Sequence, residues 1–166
     1  MSSGVTAQWE SILVVCLGGS IAKHKDRICE YASQESVIVI SVNFIPEFLT
    51  PDFVFCANAK CFHNIQSASS IKRLITSSII DSAHDEYDLA FSFNDCVYFN
   101  ETFCEDSTVM LLRVILRCGC TNVAIAGFAG FVPGGTNFIK KPIPMKKVTM
   151  SMLRQYDIFY AKHWQS

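Results

Sequence analysis

The sequence predicts an α/β fold: a three-layer domain with a mostly parallel central sheet. Three observations carry that prediction. Ile12-Leu13-Val14-Val15 and Val37-Ile38-Val39-Ile40 are apolar runs without polar alternation, as strands covered on both faces require. Segments of helical character separate these runs from later ones, and alternation of this kind builds parallel sheets through crossover connections. No repeat or low-complexity linker divides the chain. Residues 11–166 therefore read as one domain behind an N-terminal extension over residues 1–10.

The first strand, over residues 11–17, breaks at Gly18-Gly19-Ser20. Glycines suit a tight turn and close backbone approach, and Ser20 is placed to cap a helix over residues 21–33. Ile28, Cys29 and Ala32 supply that helix with an inner face. Residues 36–42 are a β-branched run and give the second strand. Pro46 and Pro51 punctuate a loop before a third strand at residues 52–56. A helix over 57–67, a fourth strand at 72–76 and a fifth at 87–93 follow. Asp106 or Ser107 caps a helix rich in Val, Leu and Ile that ends at Gly119. Residues 122–127 form a late strand, a glycine and aromatic loop runs to Phe138, and residues 145–161 form a final helix.

Half of the 166 residues are hydrophobic and 17% are charged, which excludes a disordered chain. A formal net charge of −1 argues against a general nucleic-acid binder. No apolar run reaches the roughly 18 residues of a membrane span, and the first residues lack a signal-peptide pattern. The expected location is cytoplasmic. The eight cysteines lack paired metal-ligand spacing, so they read mainly as buried thiols. Lys23, Lys25 and Arg27 follow the glycine turn, and Lys140, Lys141, Lys146 and Lys147 crowd the C-terminal region. Each cluster is either solvated surface or a local anion site.

Ligands of such folds bind beyond the carboxyl ends of the strands, where strand order reverses. The loops at residues 17–20, 42–45, 57–60 and 127–137 are therefore the functional candidates. Gly18, Gly19 and Ser20 have the strand–turn–helix form of an anion cradle, without a full phosphate-loop signature. His24 beside Lys23 and Lys25 is either solvated or within reach of an anion; His84 lies in a polar connection that reads as surface, and His63 and His163 have no ligand-spaced partner. Asp81, Asp85, Glu86 and Asp88 either form a solvated loop or hold magnesium accompanying a diphosphate. Phe128, Phe131 and Phe138 either close over a base or sugar or pack on a partner.

Val15-Cys16-Leu17-Gly18-Gly19-Ser20-Ile21, Ile40-Ser41-Val42-Asn43-Phe44, Pro51-Asp52-Phe53-Val54-Phe55 with Asn58, and Ala126-Gly127-Phe128-Ala129-Gly130-Phe131 occur in a familiar order. Over about residues 11–140 the chain resembles the C-terminal domain of bacterial 4-hydroxy-2-oxovalerate aldolase-like proteins. More distantly it is similar to sialyltransferases that use CMP-sialic acid and to MptE-like hydroxymethylpterin pyrophosphokinases. The resemblance implies a Rossmann-like fold and a nucleotide or nucleotide-sugar ligand, in surface-glycan synthesis beside an aldolase-like barrel. It implies Gly18, Gly19, Ser20 and Asn43 as ligand-facing, with Asn58, Ser107, Gly127 and Phe128 around them. For Asn43, a turn residue bonding its own backbone is the alternative.

Cys16 stands where the sialyltransferase-like turn has a glycine, and Ala129 where the aldolase-linked domains have an acid. These departures support a binding cavity better than a preserved catalyst. Two alternatives stay open: an autonomous glycosyl- or phosphoryl-transferase, and an interaction or homo-oligomerisation module with a degenerate cleft.

Overall fold

The computed structural model describes residues 11–65, 70–99, 103–104 and 106–128. The N-terminal extension, residues 129–138 of the aromatic loop and the final helix expected at 145–161 lie outside the described residues. Strands β1 (Ser11–Val15), β2 (Val37–Val42), β3 (Phe53–Cys56), β4 (Lys72–Thr76) and β5 (Leu89–Phe91) follow one another across a sheet. Helices α1 (Lys25–Ala32), α2 (Ala59–Ile65) and α3 (Ile80–Ala83) lie in the connections between them. The chain then forms α4 (Phe93–Cys96), a small antiparallel pair β6 (Tyr98–Phe99) and β7 (Phe103–Cys104), α5 (Ser107–Arg117) and β8 (Val123–Ala126).

The six long-range strands pair in the order β5-β4-β3-β2-β1-β8, and every pairing is parallel. This is the α/β Rossmann-like architecture that the alternation of segments predicts. Stepping from β1 to β5 in one direction with right-handed crossovers puts those connections on one face. The return to β8 crosses the other face. Packing follows that division. Leu13, Val15 and Val39 meet Ile28 of α1, and Val54, Cys56 and Ile75 meet Phe62 and Ile65 of α2. Their strand neighbours Ile12, Val14, Ile40, Val42, Phe55 and Leu74 meet Met110, Leu111 and Ile115 of α5. A period of two along each strand thus feeds both layers.

Local structure departs from expectation in three places. Residues 19–23 form a 3-10 turn, Gly19–Lys23, and α1 begins only at Lys25. Ser20 caps nothing: Gly18 precedes the 3-10 turn and His24 precedes α1, neither with a side-chain cap hydrogen bond. The short helices α3 and α4 and the β6–β7 pair add structure where the sequence shows only connections. No helix among the described residues is long and apolar enough to cross a membrane.

Candidate functional site

Strand order reverses between β1 and β8, and the loops leaving these strands meet there. The Cys16 amide donates to the Ala126 carbonyl at 2.8 Å, extending the ladder past the strand ends. Beyond it the backbones converge so closely that a Cβ at Gly18 would overlap the carbonyl oxygen of Gly127. A Cβ at Gly127 would in turn overlap the Cys16 carbonyl and the Ile21 side chain, and Gly127 has φ 76°. Only glycine fits either position without strain. The crevice at this point is filled by the chain itself, so the space available to a ligand is displaced onto the α1 face.

That space is a groove of about 510 Å³ between α1 and β8. Its floor is apolar: Leu13 of β1, Ala124 and Ala126 of β8, Ile21, and Ile28 of α1. Two alanines on the edge strand leave the depth. Ser20, Gly127 and Phe128 stand at the end nearest the strand carboxyl termini, while His24, Arg27 and Tyr31 follow α1 along one side. Lys23, His24, Lys25 and Arg27 are all exposed, with Asp26 the one acid among them. Lys25 Nζ lies 5.5 Å over the Phe48 ring, so the groove has an apolar floor and Arg27 as the cation of its rim, which suits a ligand with an anionic group and an apolar body.

On the opposite face, α5 starts beneath the same loops. Cys16 Sγ and Thr108 Oγ1 are 3.4 Å apart, both residues buried. The Asp106 carboxylate accepts from the amides of Thr108 at 2.8 Å and Val109 at 3.1 Å. Ser107, first residue of α5, thus sits at a helix terminus already occupied by a carboxylate. Burial, and secondarily Asp106, pushes the Cys16 thiol up to about 12, against the lowering effect of its Thr108 hydrogen bond. It is a protonated packing group at neutral pH.

The other residues singled out from sequence are spread along the strand ends. Asn58 Oδ1 accepts from the amides of Lys60 at 2.9 Å and Cys61 at 3.4 Å, capping α2. Asn43 ends β2 at φ 64° and its amide donates to the Phe55 carbonyl at 2.8 Å. Asn tolerates this left-handed conformation better than most residues. Among the described residues its buried Oδ1 has no hydrogen-bond partner. The structure thus brings Gly18, Gly19, Ser20, Gly127 and Phe128 together and leaves Asn43 and Asn58 on neighbouring strand ends.

No family model matches the chain, and no curated protein or solved structure is significantly similar to it. The site is therefore read on its own chemistry. Among the described residues, no group of three or more His, Cys, Asp or Glu side chains gathers as a metal site. In the acidic stretch, Asp88 accepts the Arg73 amide at 2.7 Å and Glu86 faces the Arg73 guanidinium at 3.8 Å. Sequence reasoning weighed Arg27 within a basic cluster as solvated surface or an anion site, and missed Tyr31, Ala124 and Ala126 as groove residues. The signal available was weak: two alanines in an otherwise bulky strand, opposite a basic helix.

Proposed function

We propose that this chain binds a small anionic ligand of the nucleotide or nucleotide-sugar class at the mouth of the α1–β8 groove. The groove carries the reading, through its position beside the reversal of strand order and its combination of apolar floor and cationic rim. Arg27, with a planar fork of donors, suits a phosphate or carboxylate. His24 offers its ring nitrogens as hydrogen-bonding groups. Phe128 offers an aromatic surface to a base or sugar, and Ser20 a hydroxyl. Binding is the role these residues support. Cys16, buried on the other face of the sheet, is a protonated packing group.

A thermal-shift panel of CMP, UDP, GDP, ATP and their sugar conjugates, with and without magnesium, tests the proposal. A true ligand at about 100 times its dissociation constant adds about 2.7 kcal/mol, or about 5–10 °C for a chain of this size. The shift should shrink with added salt, since the rim charges are exposed. No shift with any member of the panel would end the nucleotide reading.

A further inference from the structure

Two aspartates far from the groove make the same pair of bonds. The Asp52 amide donates to the Val39 carbonyl at 2.9 Å, and Asp52 Oδ2 accepts the Val39 amide at 2.8 Å. Asp88 repeats the pattern on Arg73: its amide donates to the Arg73 carbonyl at 2.9 Å, and its Oδ2 accepts the Arg73 amide at 2.7 Å. Each stands immediately before a strand, Asp52 before β3 and Asp88 before β5. Each also extends that strand's register by one residue, since Phe53 faces Ile40 and Leu89 faces Leu74.

Parallel pairing accounts for the need of a side chain at these points. A residue in a parallel ladder bonds two residues of its neighbour, one through its amide and one through its carbonyl. At β8 the main chain supplies the acceptor: the Ile12 amide donates to the Asn122 carbonyl at 3.0 Å. At β3 and β5 the corresponding carbonyls belong to Thr50 and Glu86, and the Val39 and Arg73 amides take the aspartate carboxylates instead. Glu86 closes a tight turn, its amide donating to the Ala83 carbonyl at 2.8 Å across His84 and Asp85, both in left-handed backbone. Its carbonyl accepts from Arg73 Nη1 at 3.1 Å. The chain thus swings into β5 sideways, with the expected acceptor already turned to another donor.

We infer that Asp52 and Asp88 are entry clamps of the sheet: each carboxylate takes the place of a main-chain carbonyl and pins the start of β3 or β5 to the neighbouring strand. Carboxylates suit this task because they only accept, and their bonds to amides are shorter and stronger than neutral ones. β5 leans on its clamp most, being three residues long at the edge of the sheet, with Leu89 half exposed. Both clamps lie at strand amino ends, the opposite edge from the candidate ligand loops, so the inference stands apart from the ligand reading. It also gives Asp88 of the acidic stretch a role that calls on no magnesium.

Amide hydrogen exchange of the full chain, resolved residue by residue by NMR, tests the inference. The Val39 amide in Asp52→Ala and the Arg73 amide in Asp88→Ala should each exchange at least about tenfold faster than in the wild type. The amides of β5 should follow Arg73 in the second protein, while those of β1 keep their rates in both. Asp52→Asn and Asp88→Asn retain an acceptor oxygen, so each should hold the same amide more slowly than its alanine counterpart. Asp85→Asn removes a charge from the same acidic stretch and should leave Arg73 unchanged. Exchange of Val39 and Arg73 within about twofold of the wild type in the alanine variants overturns the inference. So does an effect of Asp85→Asn on Arg73 as large as that of Asp88→Ala. If an alanine variant unfolds, exchange in β1 reports it and the asparagine variant decides: protection kept at the paired amide supports the clamp, and protection lost in a folded chain overturns it.

Discussion

Gly18 is a glycine because the Gly127 backbone takes up the space its side chain would need, and Gly127 because the Cys16 carbonyl and the Ile21 side chain take up its own. The sequence reading connects Gly18 with an anion cradle, yet the contact that constrains it is internal. Gly18→Ala should therefore destabilise by about 1–3 kcal/mol, the range of overpacked sites, measured by urea unfolding. Gly127→Ala should cost at least as much, because left-handed backbone adds about 1–2 kcal/mol. The thiols make a second residue-scale prediction. Burial lifts both Cys16 and Cys56 from an ordinary 9.0 to about 12. A raised thiol pKa leaves stability intact below pH 9 and lost progressively from pH 9 to 12, as the unfolded chain releases protons the folded one keeps. Unfolding free energy should fall in that window by up to about 1.4 kcal/mol per pH unit for each thiol. Exposed Cys118 should react with a thiol reagent at neutral pH before either.

Elements were legible where a local signal and the tertiary environment agree. Lys72–Thr76 is the strand that its own pattern predicts, and α5 is announced by Asp106 at one end and Gly119 at the other. Asp106→Ala should cost about 0.5–2 kcal/mol, the ordinary worth of a helix cap, again by urea unfolding. Asn58 is a parallel case at α2: Asn58→Ala should lower stability by a similar amount and leave ligand affinity unchanged, which separates capping from recognition. The four-residue helices Ile80–Ala83 and Phe93–Cys96 are too short to display a helical period. The start of α1 is displaced for another reason. Buried Ile21 sits against Gly127, and the chain accommodates that contact with a 3-10 turn before α1 begins.

At the scale of the whole molecule, the sheet was legible and the groove was not. Continuous apolar runs predict strands buried on both faces, and six parallel strands deliver them. The groove depends on β8 pairing with β1 across more than a hundred residues, a contact no local pattern encodes. Only after that pairing do two alanines, a basic helix and a glycine-bounded mouth become neighbours. This placement makes the rim an electrostatic site although the chain as a whole is nearly neutral. Arg27 is exposed and lines the groove, so Arg27→Glu should leave stability within about 0.5 kcal/mol of the wild type. The central claim, that an anion binds at this mouth, is tested most directly by calorimetric titration of the best nucleotide-class ligand into the wild type and Arg27→Glu. Losing a charge-assisted contact worth about 1.5–3 kcal/mol predicts at least a tenfold weaker dissociation constant. Equal affinity in the two proteins would contradict the account.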